Sequence, residues 1–185
     1  MPEEKLGQDR DRVRWEKIRA GDASAFDGFY RENAQRLQVF LRLLTGNEQA
    51  AEDVMQETFT QMWRSPNGFQ PERGSLRAYL FGIGRKRAAE WRRRNNILNG
   101  ESAITAELAT AGNREMLTAI SDAFAKLNVD QRSLLWLREV EGQSYAELAE
   151  VLDIPVGTVR SRLFTAREDL RRIWRGTPAE ERNKP

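Results

Sequence analysis

Apolar residues recur at three- and four-residue intervals along most of the chain, and no run alternates at period two for long enough to make a strand. This spacing predicts a short helix over 13–20, broken by Gly21-Asp22, and a longer one over 23–44 with Phe26, Phe29, Tyr30, Leu37, Phe40, Leu41 and Leu44 turned inward. Gly46-Asn47 ends it, and 48–63 repeats the stripe with Ala51, Val54, Met55, Thr58, Phe59 and Met62. The cluster Ser65-Pro66-Asn67-Gly68 reads as a turn. Ser75 then caps a helix reaching about 94, with Leu76, Tyr79, Leu80, Ile83 and Trp91 for packing. The stretch 95–113 has no Lys or Arg and no persistent apolar stripe, so it reads as a linker. Helices over 116–126 and 130–139 follow, joined by Leu127-Asn128-Val129 and built on Leu117, Ile120, Phe124, Leu127, Leu134, Leu135 and Leu137. The polar last ten residues read as frayed. The predicted fold is all-α: two small helical domains, 13–94 and 114–175, joined by a flexible linker over 95–113.

The most specific stretch is EGQSYAELAEVLDIPVGTVRSRLFTAR, from Glu141 to Arg167. Ser144 followed by Glu147 is a capping box, each side chain able to satisfy the other's unpaired backbone N–H, so a helix starts there. Tyr145, Leu148, Ala149, Val151 and Leu152 form its apolar face, with Ala149 small enough for a second helix to cross closely. Asp153 closes it at a turn where many such sequences place Gly; Asp tolerates positive φ better than most residues. Pro155 suits the first turn of the next helix. Val159 and Leu163 face inward there, leaving Arg160, Ser161, Phe164, Thr165 and Arg167 outward. This is a helix-turn-helix whose second helix can enter the major groove, arginine reading guanine and hydroxyls reaching bases or phosphates.

Composition narrows the function classes. With no Cys and no His among 185 residues there are no disulfides, no thiolate nucleophile and none of the commonest general base and metal ligand. That argues against an enzyme, and no cofactor or metal is expected. No stretch approaches the roughly 18 apolar residues of a membrane span, and the N-terminus is not a signal sequence, so no membrane insertion and a cytoplasmic location are expected. The net charge is only +2, but it is segregated. Between positions 73 and 94 eight basic residues face Glu90 alone, a balance of +7, and between 158 and 175 six arginines face two acids, +4. Between 46 and 57, Glu48, Glu52, Asp53 and Glu57 stand without a single Lys or Arg, −4. Two basic stretches imply two contacts with a polyanion, and the acidic helix implies a protein partner.

Three runs in this order resemble a bacterial RNA polymerase sigma factor of the extracytoplasmic-function group, over roughly 21–175. They are Glu52-Asp53-Val54-Met55-Gln56-Glu57-Thr58-Phe59, the 69–94 segment, and the helix-turn-helix ending in PVGTVRSRL-x-x-AR. The resemblance implies a subunit that binds core RNA polymerase, through its β′ clamp and β flap, and directs it to promoters, with an anti-sigma factor as a further partner. It assigns polymerase binding to Asp53, Gln56, Glu57 and Thr60, one polar face opposite Val54, Met55 and Phe59. Recognition and melting of the −10 element falls to Arg77, Tyr79, Arg85, Lys86, Arg87 and Arg92, where aromatic and basic residues interleave as a single-strand groove requires. Tyr79 and Trp91 also lie on the apolar stripe, so a packing role competes with base stacking for each. The −35 element would be read by Arg160, Ser161, Phe164, Thr165 and Arg167.

The sequence departs from the family pattern at Lys86, where Asn is usual, at Thr165, where many relatives carry Arg, and at Gly82 and Gly84 inside a helix. At about 1 kcal/mol per Gly relative to Ala, the glycines predict a loosened segment and an altered −10 preference. Two other readings stay open on sequence alone: a conventional helix-turn-helix regulator that binds DNA without polymerase, and an adaptor holding a partner through its acidic helix. With no Cys or His, any redox, metal or mild-acid signal is expected to enter through a partner.

Overall fold

A computed structural model describes residues 2–65, 67–95 and 123–176. Among these residues the regular structure is helical throughout, as the periodicity predicts. Helix α1 (Pro2–Arg19) begins well before the predicted start at 13. Its first half, PEEKLGQDR, has Leu6 as its one large apolar residue, and a helix without an apolar stripe leaves no periodic signal. Asp22 caps α2 (Ala23–Thr45), accepting from the N–H groups of Ser24 and Ala25, and Gly46 ends it in the left-handed region at φ 69°. Asn47 caps α3 (Glu48–Arg64) in turn. A short 3-10 turn (Pro71–Arg73) leads into α4 (Leu76–Arg94), capped by Ser75.

Helices α2, α3 and α4 form the N-terminal core around Leu37, Phe40, Leu41, Val54, Met62, Leu80 and Phe81. Tyr30, expected inside, is 37% exposed and lies on the rim, its ring 4.7 Å from that of Phe59. The glycines do not loosen α4. A Cβ at Gly84 would stand 3.0 Å from Leu37 Cδ1 and 3.4 Å from Leu41 Cδ2, so the missing side chain is what lets α2 lie this close.

In the C-terminal unit, Asn128 and Gln131 form a reciprocal capping box opening α5 (Val129–Leu135). The helix predicted to run to 139 changes to a π turn over Trp136–Val140, with the Glu141 N–H reaching back to the Trp136 carbonyl at 3.1 Å. Then come α6 (Tyr145–Leu152) and α7 (Val156–Gly176). Of the predicted 116–126 helix, 123–125 are helical and Lys126 is in the turn that follows; 116–122, with Leu117 and Ile120, lie outside the described residues, as do the linker beyond Asn95 and the last nine residues.

The two units meet. Helix α6 rests on α4, with Val151 over Gly82, and α5 lies against α2. Buried side chains of both units thereby form one continuous cluster.

Candidate nucleic-acid interface

The helix-turn-helix is built as its sequence dictates. Ser144 Oγ accepts from the Glu147 N–H at 3.2 Å, and Glu147 Oε2 accepts from the Ser144 N–H at 2.9 Å. Asp153 takes the turn in the left-handed region, φ 55° and ψ 50°, its N–H directed to the carbonyls of Ala149 and Glu150. It is the single non-glycine with positive φ among the described residues.

On α7, Val159, Leu163 and Ala166 are buried, while Arg160, Ser161, Phe164 and Thr165 are exposed on the opposite side. Phe164 is 68% exposed, the most open of the large apolar side chains among the described residues. Arg167 differs from the others. Its Nη2 and Nε hold Glu139 Oε1 at 2.6 and 3.1 Å, which keeps its charge satisfied and its pKa raised. Arg162, which the sequence reading passed over, stands exposed between Ser161 and Leu163 and adds a cation to the same helix.

Helix α4 divides the predicted −10 set between two sides. Tyr79, Lys86 and Arg87 line a cleft of about 500 Å3, together with the loop residues Phe69, Gln70 and Arg73. Lys86 is exposed, and Arg87 donates to Gln61 Oε1 at 2.9 Å and to Glu90 at 3.3 Å. Tyr79 is half-buried in an aromatic group with Phe69 at 5.7 Å and Trp15 at 6.0 Å, and burial raises its hydroxyl pKa. Gly68 sits against it so closely that an added Cβ would overlap the Tyr79 hydroxyl. Phe81, interleaved with the basic residues in sequence, is fully buried against Phe40 at 5.2 Å and is core. Trp91 packs on the core half-buried.

Arg77, Arg85 and Arg92 lie on the other side. Arg77 donates to the Glu141 carbonyl at 3.1 Å, with the Glu141 carboxylate 3.8 Å away. Arg85 meets Asp130 at 3.2 Å, and Arg92 donates to the Leu44 carbonyl at 3.0 Å. Acids of the C-terminal unit thus engage the basic helix of the N-terminal one. Arg73 pairs with Glu150 at 2.6 Å, and Arg36 with Glu141 at 3.4 Å. Ser75 donates its hydroxyl to Glu147. Burial pushes the Glu147 carboxyl up, but hydrogen bonds from Ser75 and Ser144 outweigh it and hold the group below the usual carboxylate range.

On α3, Asp53, Gln56, Glu57 and Thr60 are all exposed along one stripe, and the stripe ends at Trp63, 40% exposed. An exposed carboxylate-and-amide row backed by a buried apolar face suits a partner rich in arginine. Among the described residues no group of three or more acidic side chains could hold a metal ion, and no helix is long and apolar enough to cross a membrane.

Comparison with known proteins is consistent across three kinds of match. The family model described as sigma-70 region 2 matches residues 29–97, and that described as sigma-70 region 4 matches 117–170. The chain is 31% identical over 176 residues to the ECF RNA polymerase sigma-E factor of Haemophilus influenzae, covering 85% of this chain and 92% of that one. Its fold is similar to that of CnrH, solved in complex with the cytosolic domain of CnrY (TM-score 0.70, 25% identity, 91% of this chain and 99% of that one). It is also similar to the sigma factor RpoE of Bartonella quintana, solved with the anti-sigma factor NepR (TM-score 0.58, 25% identity, 82% and 99%).

Proposed function

The chain belongs to the extracytoplasmic-function sigma factors, which bind core RNA polymerase and direct transcription initiation at promoters, and from that premise we propose how its residues share the work. The N-terminal unit, 13–94, docks on core polymerase at the β′ clamp through Asp53, Gln56, Glu57 and Thr60. The same unit recognises and opens the −10 element with α4 and the loop before it. Lys86, Arg87 and Tyr79 act at the cleft, and Arg77, Arg85 and Arg92 track the phosphates. The C-terminal unit, 114–175, meets the β flap and reads the −35 element with α7, through Arg160, Ser161, Phe164, Thr165 and Arg167. The linker over 95–113 spans the distance between the two elements.

The observation that carries this reading is the division of α7: Val159, Leu163 and Ala166 are buried in the unit, and Arg160, Ser161, Arg162, Phe164 and Thr165 are exposed on a helix that follows a capped turn. Arg160 lies over the Tyr145 ring at 6.0 Å, and the surface as a whole matches the groove-facing side of a recognition helix. The chain performs no bond-making step itself; that belongs to the polymerase. We place it in the cytoplasm, where the polymerase is. An anti-sigma factor is its natural inhibitor, a reading supported by the likeness to RpoE solved with NepR.

The test is a gel shift on cognate promoter duplex with and without core enzyme. Tight, specific binding is expected only with core, whereas a conventional regulator would bind alone and as a dimer. Arg160→Ala should lose about 1–3 kcal/mol of base discrimination at one −35 position. Unchanged discrimination across a library of −35 variants removes Arg160 from the reading surface.

A further inference from the structure

Helix α1 lies wholly ahead of the stretch matched by region 2. Its contacts point in one direction. Asp11 Oδ2 accepts the Leu76 N–H at 2.8 Å, so α1 supplies a carboxylate cap to the first turn of α4, beside the cap from Ser75. One turn on, Trp15 is 4% exposed and presents an edge-on ring to Phe69 at 5.8 Å and to Tyr79 at 6.0 Å. These are the aromatic residues at the wall of the 500 Å3 cleft. Arg14, between them, anchors the helix to α2 by two parallel hydrogen bonds to Glu32, at 2.5 and 2.8 Å.

We propose that α1 is a working part of the −10 reader, in which Asp11 and Trp15 are positioning residues that hold the loop before α4 and the Tyr79 ring in their reading geometry. This rests on the assignment of that loop and cleft to the −10 element. The end of the loop nearest α4 is held to the C-terminal unit by Arg73, paired with Glu150, and by Ser75, bonded to Glu147. Toward its start the contact is apolar: Phe69 is the buried apolar side chain among the described loop residues, with the rings of Trp15 and Tyr79 at 5.8 and 5.7 Å. Asp11 works at the other end of the loop. What its position supplies is an acceptor oxygen for the Leu76 N–H, and an amide oxygen at the same place offers the same acceptor. An asparagine at 11 therefore preserves the function, and a leucine removes it while keeping the volume.

The experiment uses holoenzyme assembled from the full chain and core polymerase, offered a promoter pool randomised at the −10 element, with base preference read by sequencing the transcripts. A second pool is randomised at −35, and affinity for core is measured in parallel. Trp15→Ala and Asp11→Leu should flatten −10 preference roughly tenfold, the size of one misplaced hydrogen-bonding contact, with −35 preference and core affinity unchanged. Trp15→Phe and Asp11→Asn should restore most of it. A merely structural role for α1 would lower all three readouts together or leave −10 preference intact, and either result overturns the proposal. If Trp15→Ala does not fold, Asp11→Leu decides alone. Lys86→Ala in the same pools separates the two layers of the argument. If it alters −10 preference while the α1 variants do not, the proposal for α1 fails and the −10 assignment stands; if it too has no effect, the assignment of the cleft fails first.

Discussion

Glu147 is the residue on which the joint between the two units can be measured. One carboxylate oxygen closes the capping box of α6 through the Ser144 N–H, and the other receives the Ser75 hydroxyl and, at 3.4 Å, the Ser75 N–H. Ser75 in turn caps α4 by accepting from Ala78 at 3.2 Å. Replacing Ser75 by Ala removes an N-cap, about 1 kcal/mol, and also a hydrogen bond to a partly buried carboxylate, about 1.5–3 kcal/mol. Glu147→Ala loses that same bond and its half of the capping box, which brings its cost to about 2–4 kcal/mol. Because the bond between them is counted in both single variants, the double variant should fall short of the sum by about 1.5–3 kcal/mol.

Urea denaturation of the four proteins at pH 7 gives this coupling directly, provided each unfolds in one transition. The pH dependence supplies a second check. Glu147 has a folded pKa below its ordinary value, so its contribution is fully present above the unfolded pKa, about 4.3. It is lost as pH falls through the folded value, and the coupling must shrink on acidification in that range. Additivity within about 0.5 kcal/mol at pH 7 would refute the reasoning, since two residues that do not touch have no common term to lose.

The two glycines of α4 should respond oppositely to alanine. Gly84→Ala pushes a methyl against Leu37 and Leu41, both fully buried, and should lower stability by about 1 kcal/mol after the gain in helix propensity. Gly82→Ala meets only Val151 Cα at an ordinary 3.7 Å and should be neutral or stabilising by up to about 1 kcal/mol. Thermal melts of the two variants compare them. Reversing the charges at Asp53 and Glu57 should weaken capture of core polymerase with the circular dichroism spectrum unchanged; lost helix with retained capture would return these residues to a structural role. Purified chain plus core enzyme should transcribe equally with and without oxidants or chelators, because it has no Cys or His to sense them. A reversible loss of activity not shared by another sigma factor on the same core would show sensing within the chain.

What the sequence made legible is what local chemistry determines. Ser75, Ser144 with Glu147, Gly46 and Asp153 each stand where a helix must start or stop, and each does so. The inward and outward residues of α7 follow from a 3.6-residue period with a single buried face. Three of the misses share a different cause, since each depends on a neighbour distant in sequence. Arg167 reads as a free cation until Glu139 is placed beside it, 28 positions away. Gly84 reads as a flaw until α2 is brought against it, and Phe81, set among basic residues in sequence, is seen to be core only when Phe40 covers it. The Asn128–Gln131 box was within reach, because its N-x-x-Q spacing is the same signal as Ser144–Glu147.

The contacts between the units bear directly on when DNA can be bound. Arg73, Arg77 and Arg85 each face a carboxylate of the C-terminal unit, Glu150, Glu141 and Asp130 respectively. A guanidinium fork satisfied by a carboxylate cannot hold a phosphate in the same geometry, so any strand passing along that side of α4 must displace those acids. The exchange is close to even for the exposed pairs, which contribute little in water. Glu141 is different: its side chain is 1% exposed and its Oε1 has no partner. Arg132, buried beside the arginine-rich end of α4, likewise leaves Nε and Nη1 unpaired, and burial together with the nearby Arg92 lowers its pKa. Buried polar groups without partners carry a desolvation cost that water repays as soon as it reaches them. The joint therefore combines a complementary charge pattern between the units with buried polar atoms, on Glu141 and Arg132, that no protein group satisfies.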